Sequence, residues 1–251
     1  MNIALDHLGF LGSDIGRMVD TFSRLGFQLT GPAPLDPGTG ADVTAQQSAH
    51  VIFPGRYIEL TAAPDCPADH HLAPFIGLSP GIRLLVLGCA DADQERRRIR
   101  ATGLEPSPVH EASRQLAYGD GAMARFRWFG LQRECLPGTL TGWVQHLTPG
   151  SVFDPQVMRH PNSVTGIDAV LLRRVRLPEG LAATDGGTAA RQDENLPEDP
   201  FIGGLELAAE SLERCRAVLT NNQVAFSDLG NELQITAGDA LGAELRIRQR
   251  A

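Results

Sequence analysis

The sequence predicts an α+β protein built from tandem βαβββ units. The phrase Leu5-Asp6-His7-Leu8-Gly9-Phe10 runs through Asp14 into a helical pattern ending at Leu25-Gly26-Phe27, and a strand, a cap and a helix stop return further on. Asp14 lies twelve positions before Gly26, Asp91 twelve before Gly103, and Glu210 twelve before Asn222. A constant interval from a capping acceptor to a residue able to turn left-handed, met three times, reads as an internal repeat. A hairpin pattern after the first helix supplies the remaining strands.

In chain order, residues 3–11 form an apolar strand, and Asp14 offers its side chain to the free amides opening a helix. Ile15, Met18, Val19, Phe22 and Leu25 follow at helical spacing. Gly26 ends the helix, residues 27–30 read as a second strand, and a Pro/Gly-rich loop covers 31–40. Residues 50–53 and 57–61, on either side of Pro54-Gly55, read as a hairpin. Alternation along its second arm sets Tyr57, Glu59 and Thr61 on one face and Ile58 and Leu60 on the other, so Glu59 is expected to point into a concavity.

A second unit begins with an apolar strand over 82–87, continues through the Asp91-capped helix, and closes with a strand or hairpin over 122–133 and a strand over 143–148. Laying Glu59-Leu60-Thr61 on His146-Leu147-Thr148 makes His146 the counterpart of Glu59, whereas a register one residue earlier selects Gln145. In the third unit Ile167-Asp168 echoes Leu5-Asp6, and Ala169 stands where His7 stood. Residues 178–200 are poor in large apolar side chains and read as a loop replacing a truncated unit. The fourth unit spans 201–250. Two parts are therefore expected: 1–150 carries the site, and 151–251, with the truncated third unit and the complete fourth, completes the shell.

Charge and composition narrow the function. A formal net charge of −8 argues against a nucleic-acid binder, and no apolar run is long enough to cross a bilayer. The N-terminus carries no secretory pattern, so a cytoplasmic location is expected. Arg96, Arg97, Arg98 and Arg100 read as a solvated helix face, and His70-His71, in a Pro-rich stretch, as solvent-facing. The four cysteines lack CxxC spacing and read as reduced thiols. Neither a Gly-rich phosphate loop nor a serine nucleophile elbow is read at a strand-to-helix junction.

Ile3-Ala4-Leu5-Asp6-His7, Leu25-Gly26-Phe27 and Tyr57-Ile58-Glu59-Leu60 together resemble the vicinal oxygen chelate superfamily. Ser48-Ala49-His50, Gln145-His146-Leu147-Thr148-Pro149 and His160-Pro161-Asn162 are similar to motifs of its glyoxalase-like members. The resemblance implies paired units forming cupped mixed sheets, with helices on the outer face and a metal in the cup. It nominates His7, Glu59 and His146 as ligands of a divalent ion, with zinc, nickel, manganese and iron not distinguished. Glu59 is also the candidate catalytic base, and His50, His160 and Asn162 the candidate substrate contacts. Against these stand plainer readings: a hydrogen-bonded core histidine for His7, and turn-forming roles for His160 and Asn162. The sequence departs from the pattern at Ala49, where the related motif has Asn, and at Leu84, which the Asp caps align with His7.

Three functions follow from the resemblance. The leading one is a divalent-metal-dependent lyase or isomerase acting on a small oxygenated molecule. The second is a metal-free protein that sequesters small molecules, with an aromatic-lined cup and an arginine neutralising Glu59. The third is an extradiol-type dioxygenase. In each the expected partner is a small molecule, not nucleic acid or membrane, and a homodimer is the candidate assembly.

Overall fold

The computed structural model describes residues 1–36, 38, 46–183, 187–196 and 198–250. The first unit contains β1 (Asn2–Ile3), β2 (Leu5–Gly12), α1 (Ile15–Arg24), β3 (Ala33–Pro34), β4 (Gln47–Phe53) and β5 (Arg56–Ala62). The second contains β6 (Gly81–Gly88), α2 (Ala92–Ala101), β7 (His110–Gln115), β8 (Met123–Gly130) and β9 (Leu140–His146), followed by the short α3 (Pro149–Val152). The C-terminal half contains β10 (Val164–Leu172), β11 (Thr188–Gln192), β12 (Ile202–Ala209), α4 (Leu212–Asn221), β13 (Ser227–Asp228), β14 (Glu232–Ile235) and β15 (Glu244–Gln249).

The helix frame of the repeat is the expected one, displaced by one residue in the last unit. Asp14 accepts from the Arg17 amide and Asp91 from the Gln94 amide, while Gly26 and Gly103 take φ of 84° and 87°. In the fourth unit the cap is Ser211, which accepts from the Arg214 amide, and the left-handed residue is Gln223. A short hydroxyl reaches the first-turn amides better than the longer Glu210 side chain, so the twelve-residue interval runs from Ser211 to Gln223.

One pairing rule generates the sheet. The first strand of a unit lies antiparallel to the first strand of its partner unit and parallel to the last strand of its own. Thus β2 pairs β6 antiparallel, with β5 and β9 parallel outside them. β10 pairs β12 antiparallel, with β11 and β15 parallel outside them. The third unit therefore keeps its first and last strands, β10 and β11. The loop expected over 178–200 contains β11 because β1 supplies a second, antiparallel ladder along its free edge; residues 184–186 and 197 of that stretch lie outside the described residues.

Strands β3-β4-β5-β2-β6-β9-β8-β7 curve into a cup that is not closed, and an isolated bridge between Asp36 and Ser113 draws its two ends together. The halves of the chain join through the Ile82–Ile202 pair. On the outer side of the first unit, Met18 and Phe22 of α1 belong to the same buried core as Phe10, Ile58 and Leu60.

The structure departs locally from the sequence reading in two places. Residues 27–30 are not a strand, because the Phe27 amide returns to Phe22 O at the helix end and the Gln28 amide goes to His160 Nδ1. The loop expected over 31–40 lies partly outside the described residues, at 37, 39 and 40. Conversely β7, polar by composition, is a strand because it completes the β8 ladder and buries Ala112 and Arg114 on one face.

Candidate functional site

The inner face of the cup carries a line of buried charge that starts at a strand irregularity. Along the β2–β6 pair Leu5 faces Leu87 but His7 faces Val86, so Asp6 is the additional residue of a bulge. A bulge re-aims side chains that regular alternation would send to opposite faces. Here it lets Asp6 Oδ1 meet His7 Nδ1 at 2.7 Å. His7 Nε2 lies 3.4 Å from Glu59 Oε2, and the Tyr57 ring stacks on the imidazole with centroids 4.4 Å apart.

Burial disfavours charge on all three groups, and their mutual contacts outweigh it. The hydrogen bonds and charges of Asp6 and Glu59 raise the His7 pKa to about 9 against the cost of burial. Burial would raise the Glu59 carboxyl, but the bond and charge of His7, with the charge of Arg114, hold it well below the usual range. Asp6 is likewise lowered against its burial, by His146 and His7. At neutral pH the arrangement is carboxylate, imidazolium, carboxylate.

Arg114, on β7, is the residue that sequence reasoning missed. It is 5% exposed, and its Nη1 contacts His50 Nε2. A guanidinium only donates, so His50 accepts there and directs its Nδ1 proton to Thr30 Oγ1 at 3.2 Å. Burial, then the Arg114 charge, push His50 well below its ordinary value and keep it neutral. The guanidinium also lies 5.8 Å from the Phe126 ring centre. The signal for Arg114 in the sequence is the alternation Ala112, Arg114, Leu116, an arginine in an apolar register.

These groups border a cavity of about 90 Å³. Tyr57, Leu84, Phe126, Trp128, Trp143 and Val144 form most of its wall, and His7, Glu59, Arg114, Gln46 and His71 are its polar members. His71 corrects the expectation of a solvent-facing pair: His70 is 2% exposed and His71 lines the cup, its pKa lowered to about 4 by burial and then by His70.

The three nominated metal ligands divide. His7 and Glu59 face each other, while His146 Nε2 is joined to Asp6 Oδ2 at 2.8 Å and its ring packs against Phe126 and Phe153. Strand register explains the separation. Gly9 pairs with Glu59 across β2 and β5, and Val86 with Gly142 across β6 and β9. With Leu84 at the position of His7, the second-unit counterpart of Glu59 is Gly142, not His146 or Gln145. Gln145 instead binds the Ala92 amide and Ala90 O at the start of α2. Both imidazole nitrogens of His7 are turned on carboxylates, and Leu84 and Gly142 bring no donor from the second unit. Among the described residues no group of three or more His, Cys, Asp or Glu side chains is placed to hold a metal ion. The donor set does not fit a three-ligand divalent ion.

His50 reaches the cup indirectly, 3.9 Å from Glu59 Oε1 and behind Arg114. His160 and Asn162 are brought elsewhere. His160 accepts from the Gln28 amide and donates to Ile52 O, and burial lowers its pKa to about 4. Asn162 donates to Leu25 O at the end of α1 and accepts from the Val164 amide. The pair pins the connection between the halves to the first unit. All four cysteines are free, and of these Cys215 is buried.

A family model described as a glyoxalase-like domain matches residues 5–184. A hypothetical protein from Staphylococcus aureus is similar in structure over 100% of both chains, with a TM-score of 0.68 at 9% identity, a likeness of fold. A Streptomyces coelicolor methylmalonyl-CoA epimerase in complex with 2-nitronate-propionyl-CoA aligns over 59% of this chain and 99% of its own, at 18% identity and a TM-score of 0.41. Another methylmalonyl-CoA epimerase, in complex with methylmalonyl-CoA and NH4+, aligns over 59% and 96%, at 18% identity and a TM-score of 0.40. No curated protein matches the chain in sequence.

Proposed function

The chain belongs to the glyoxalase-like domain family of the vicinal oxygen chelate superfamily, and from that footing we propose that it is a metal-free small-molecule binding protein whose cup takes a compact, largely apolar ligand. One observation carries the reading: the side chains that would hold an ion are occupied with one another in the Asp6–His7–Glu59 line, while the rest of the cup is an aromatic and aliphatic wall around an open volume. Apolar walls with a few fixed polar groups are what small-molecule sites are made of. A volume of about 90 Å³ favours a ligand whose buried part is only a few heavy atoms.

The same arrangement weakens Glu59 as a base. A carboxylate held by an imidazolium and a nearby guanidinium takes up a proton with difficulty near neutrality. Positioning and selection of a ligand are what these charges do well.

Metal content and ligand uptake, measured on the same preparation, test the reading. Protein purified without chelator and incubated with Zn²⁺, Ni²⁺, Mn²⁺ or Fe²⁺ is expected to bind no stoichiometric ion. Isovaleramide, a small neutral probe, is expected to shift the amide resonances of Phe126, Trp128 and Val144. Uptake of one ion per chain, lost in Glu59→Gln, would overturn this reading in favour of the metal-dependent lyase, isomerase or dioxygenase that the sequence suggests.

A further inference from the structure

Among the described residues two arginines are buried beyond nine-tenths, and they are treated differently. Arg83, 1% exposed, holds both oxygens of Asp199 at 2.7 and 2.6 Å and donates twice more to Ser79 O. That is the fork-to-fork pairing a buried guanidinium needs to offset its lost hydration. Arg114, 5% exposed, has among the described residues no carboxylate oxygen within 4 Å. Its partners are a neutral histidine nitrogen and the face of Phe126, and among the described residues its Nη2 has no hydrogen-bond partner.

The nearest carboxylates do not fill that gap. Glu59 is turned on His7, and Asp6 on His7 and His146. Two further polar atoms of the same wall are buried and unpaired: Gln46 Oε1 and His71 Nδ1. Whichever way the Gln46 amide is turned, one of its ends lacks a partner, because the other is taken by Ser48 Oγ. Buried hydrogen-bonding atoms are nearly always satisfied in a folded protein, so three orphans around one cavity mark a place where a ligand supplies the partners.

We infer that the ligand of the cup is a small monocarboxylate with a compact branched or aromatic body, its carboxylate received by the Arg114 guanidinium and its body by the wall of Phe126, Trp128 and Leu84. The inference rests on the cup being a ligand site and goes further in naming the charge it selects. A carboxylate supplies what Asp199 supplies to Arg83: two acceptor oxygens in a plane and one negative charge. His50 acts as a positioning residue, holding Nη1 so that the other edge of the fork is left for the ligand. An ammonium ligand would meet the Arg114 charge and is excluded by it. A neutral amide could occupy the wall but would give the Nη2 edge of the guanidinium no anionic acceptor.

Three isosteric probes separate these cases: isovalerate, isovaleramide and isoamylamine, each titrated by calorimetry and by amide-resonance mapping on the full chain. Isovalerate is expected to bind at cup residues at least tenfold more tightly than isovaleramide, and isoamylamine not to bind. Arg114→Gln is expected to weaken isovalerate at least tenfold and change isovaleramide less than threefold. Arg114→Lys, which keeps the charge and loses the fork, is expected to fall between. Equal affinity for acid and amide, preference for the amine, or unchanged isovalerate affinity in Arg114→Gln overturns the inference while leaving the cup a ligand site. Failure of both acid and amide to perturb the cup overturns the binding reading as well. If Arg114→Gln does not fold, the ranking of the three probes on the unsubstituted chain still decides.

Discussion

The two halves of the chain put charge at equivalent points of one strand frame and resolve it in opposite ways. Gly9 and Glu59 pair across β2 and β5; counted from the helix caps, the same places in the C-terminal half are Glu206 and Arg246, which pair across β12 and β15. There Arg191 and Arg248 both meet Glu206, Arg248 also meets Glu232, and Arg246 holds Glu244 and Asp193 at 2.6 and 2.5 Å. Every arginine of that face has a carboxylate, and the charges close on one another. In the N-terminal cup Asp6 and Glu59 share the single imidazolium of His7, while the guanidinium of Arg114 has among the described residues no carboxylate in direct contact, and a cavity stands beside it. A shared scaffold thus becomes structural where its charges are mutually paired and becomes a site where one is left without a direct partner.

The largest effect that can break this comparison lies at His7. It is the cation between two buried carboxylates, and removing one partner of a buried ionic set costs about 3–5 kcal/mol. His7→Gln should lose that much in urea unfolding at pH 6. The pH dependence has a definite sign. Because folding raises the His7 pKa from 6.5 to about 9, its contribution is complete below pH 6.5 and disappears as pH rises through 9. The unsubstituted chain should lose on the order of 3 kcal/mol over that window, and His7→Gln should be flat across it. An equal slope in both would mean that His7 is not the titrating cation.

The two buried arginines sharpen the contrast. Arg83→Met should cost about 2–3 kcal/mol, at the low end for a buried pair because the Asp199 side chain is 47% exposed and can rehydrate. Arg114→Met should change stability by no more than about 1 kcal/mol and should raise it if the unmatched charge dominates, as at sites kept for function and not for stability. Equal losses at both positions would show that Arg114 is a structural cation.

Asn162→Ala comes next. It frees Leu25 O and the Val164 amide in a buried place, and leaving such groups unpaired costs about 1–3 kcal/mol. Isovalerate affinity should be unaffected, because Asn162 pins the two halves together away from the cavity. A change in affinity without a change in stability would return Asn162 to the site that the sequence resemblance gave it.

How far the sequence could be read follows from the range over which each feature is determined. Glu59 was legible because alternation along one strand, beside Ile58 and Leu60, is a local property. The helix frame was legible because a cap and a stop lie within one element, and it slipped by one at Glu210 because a better cap stood next to it. Asp6 turning toward His7 depends on how β6 registers against β2, and the place of His146 depends on the pairing of β6 with β9; neither is written in the residues concerned. β11 owes its ladder to β1 at the opposite end of the chain. Arg114 lies on a strand without a β-branched residue, so composition concealed the strand and with it the arginine.

The smallest expected effect belongs to the C-terminal network. Glu206 is 6% exposed, yet Arg191 and Arg248 reach it with side chains 52% and 48% exposed. Glu206→Gln leaves those arginines able to rehydrate, and Arg248 keeps Glu232, so the loss should be about 1 kcal/mol, the scale of a partly solvated pair. The change should fade further in high salt, which screens such pairs and leaves the enclosed line at His7 much less affected. Isovalerate affinity should remain as it was, since the halves share a sheet but resolve their charges separately. If Glu206→Gln instead weakened isovalerate, the shared strands β6 and β12 would be transmitting charge or strain between the halves, and the separation of a structural face from a binding cup would not hold.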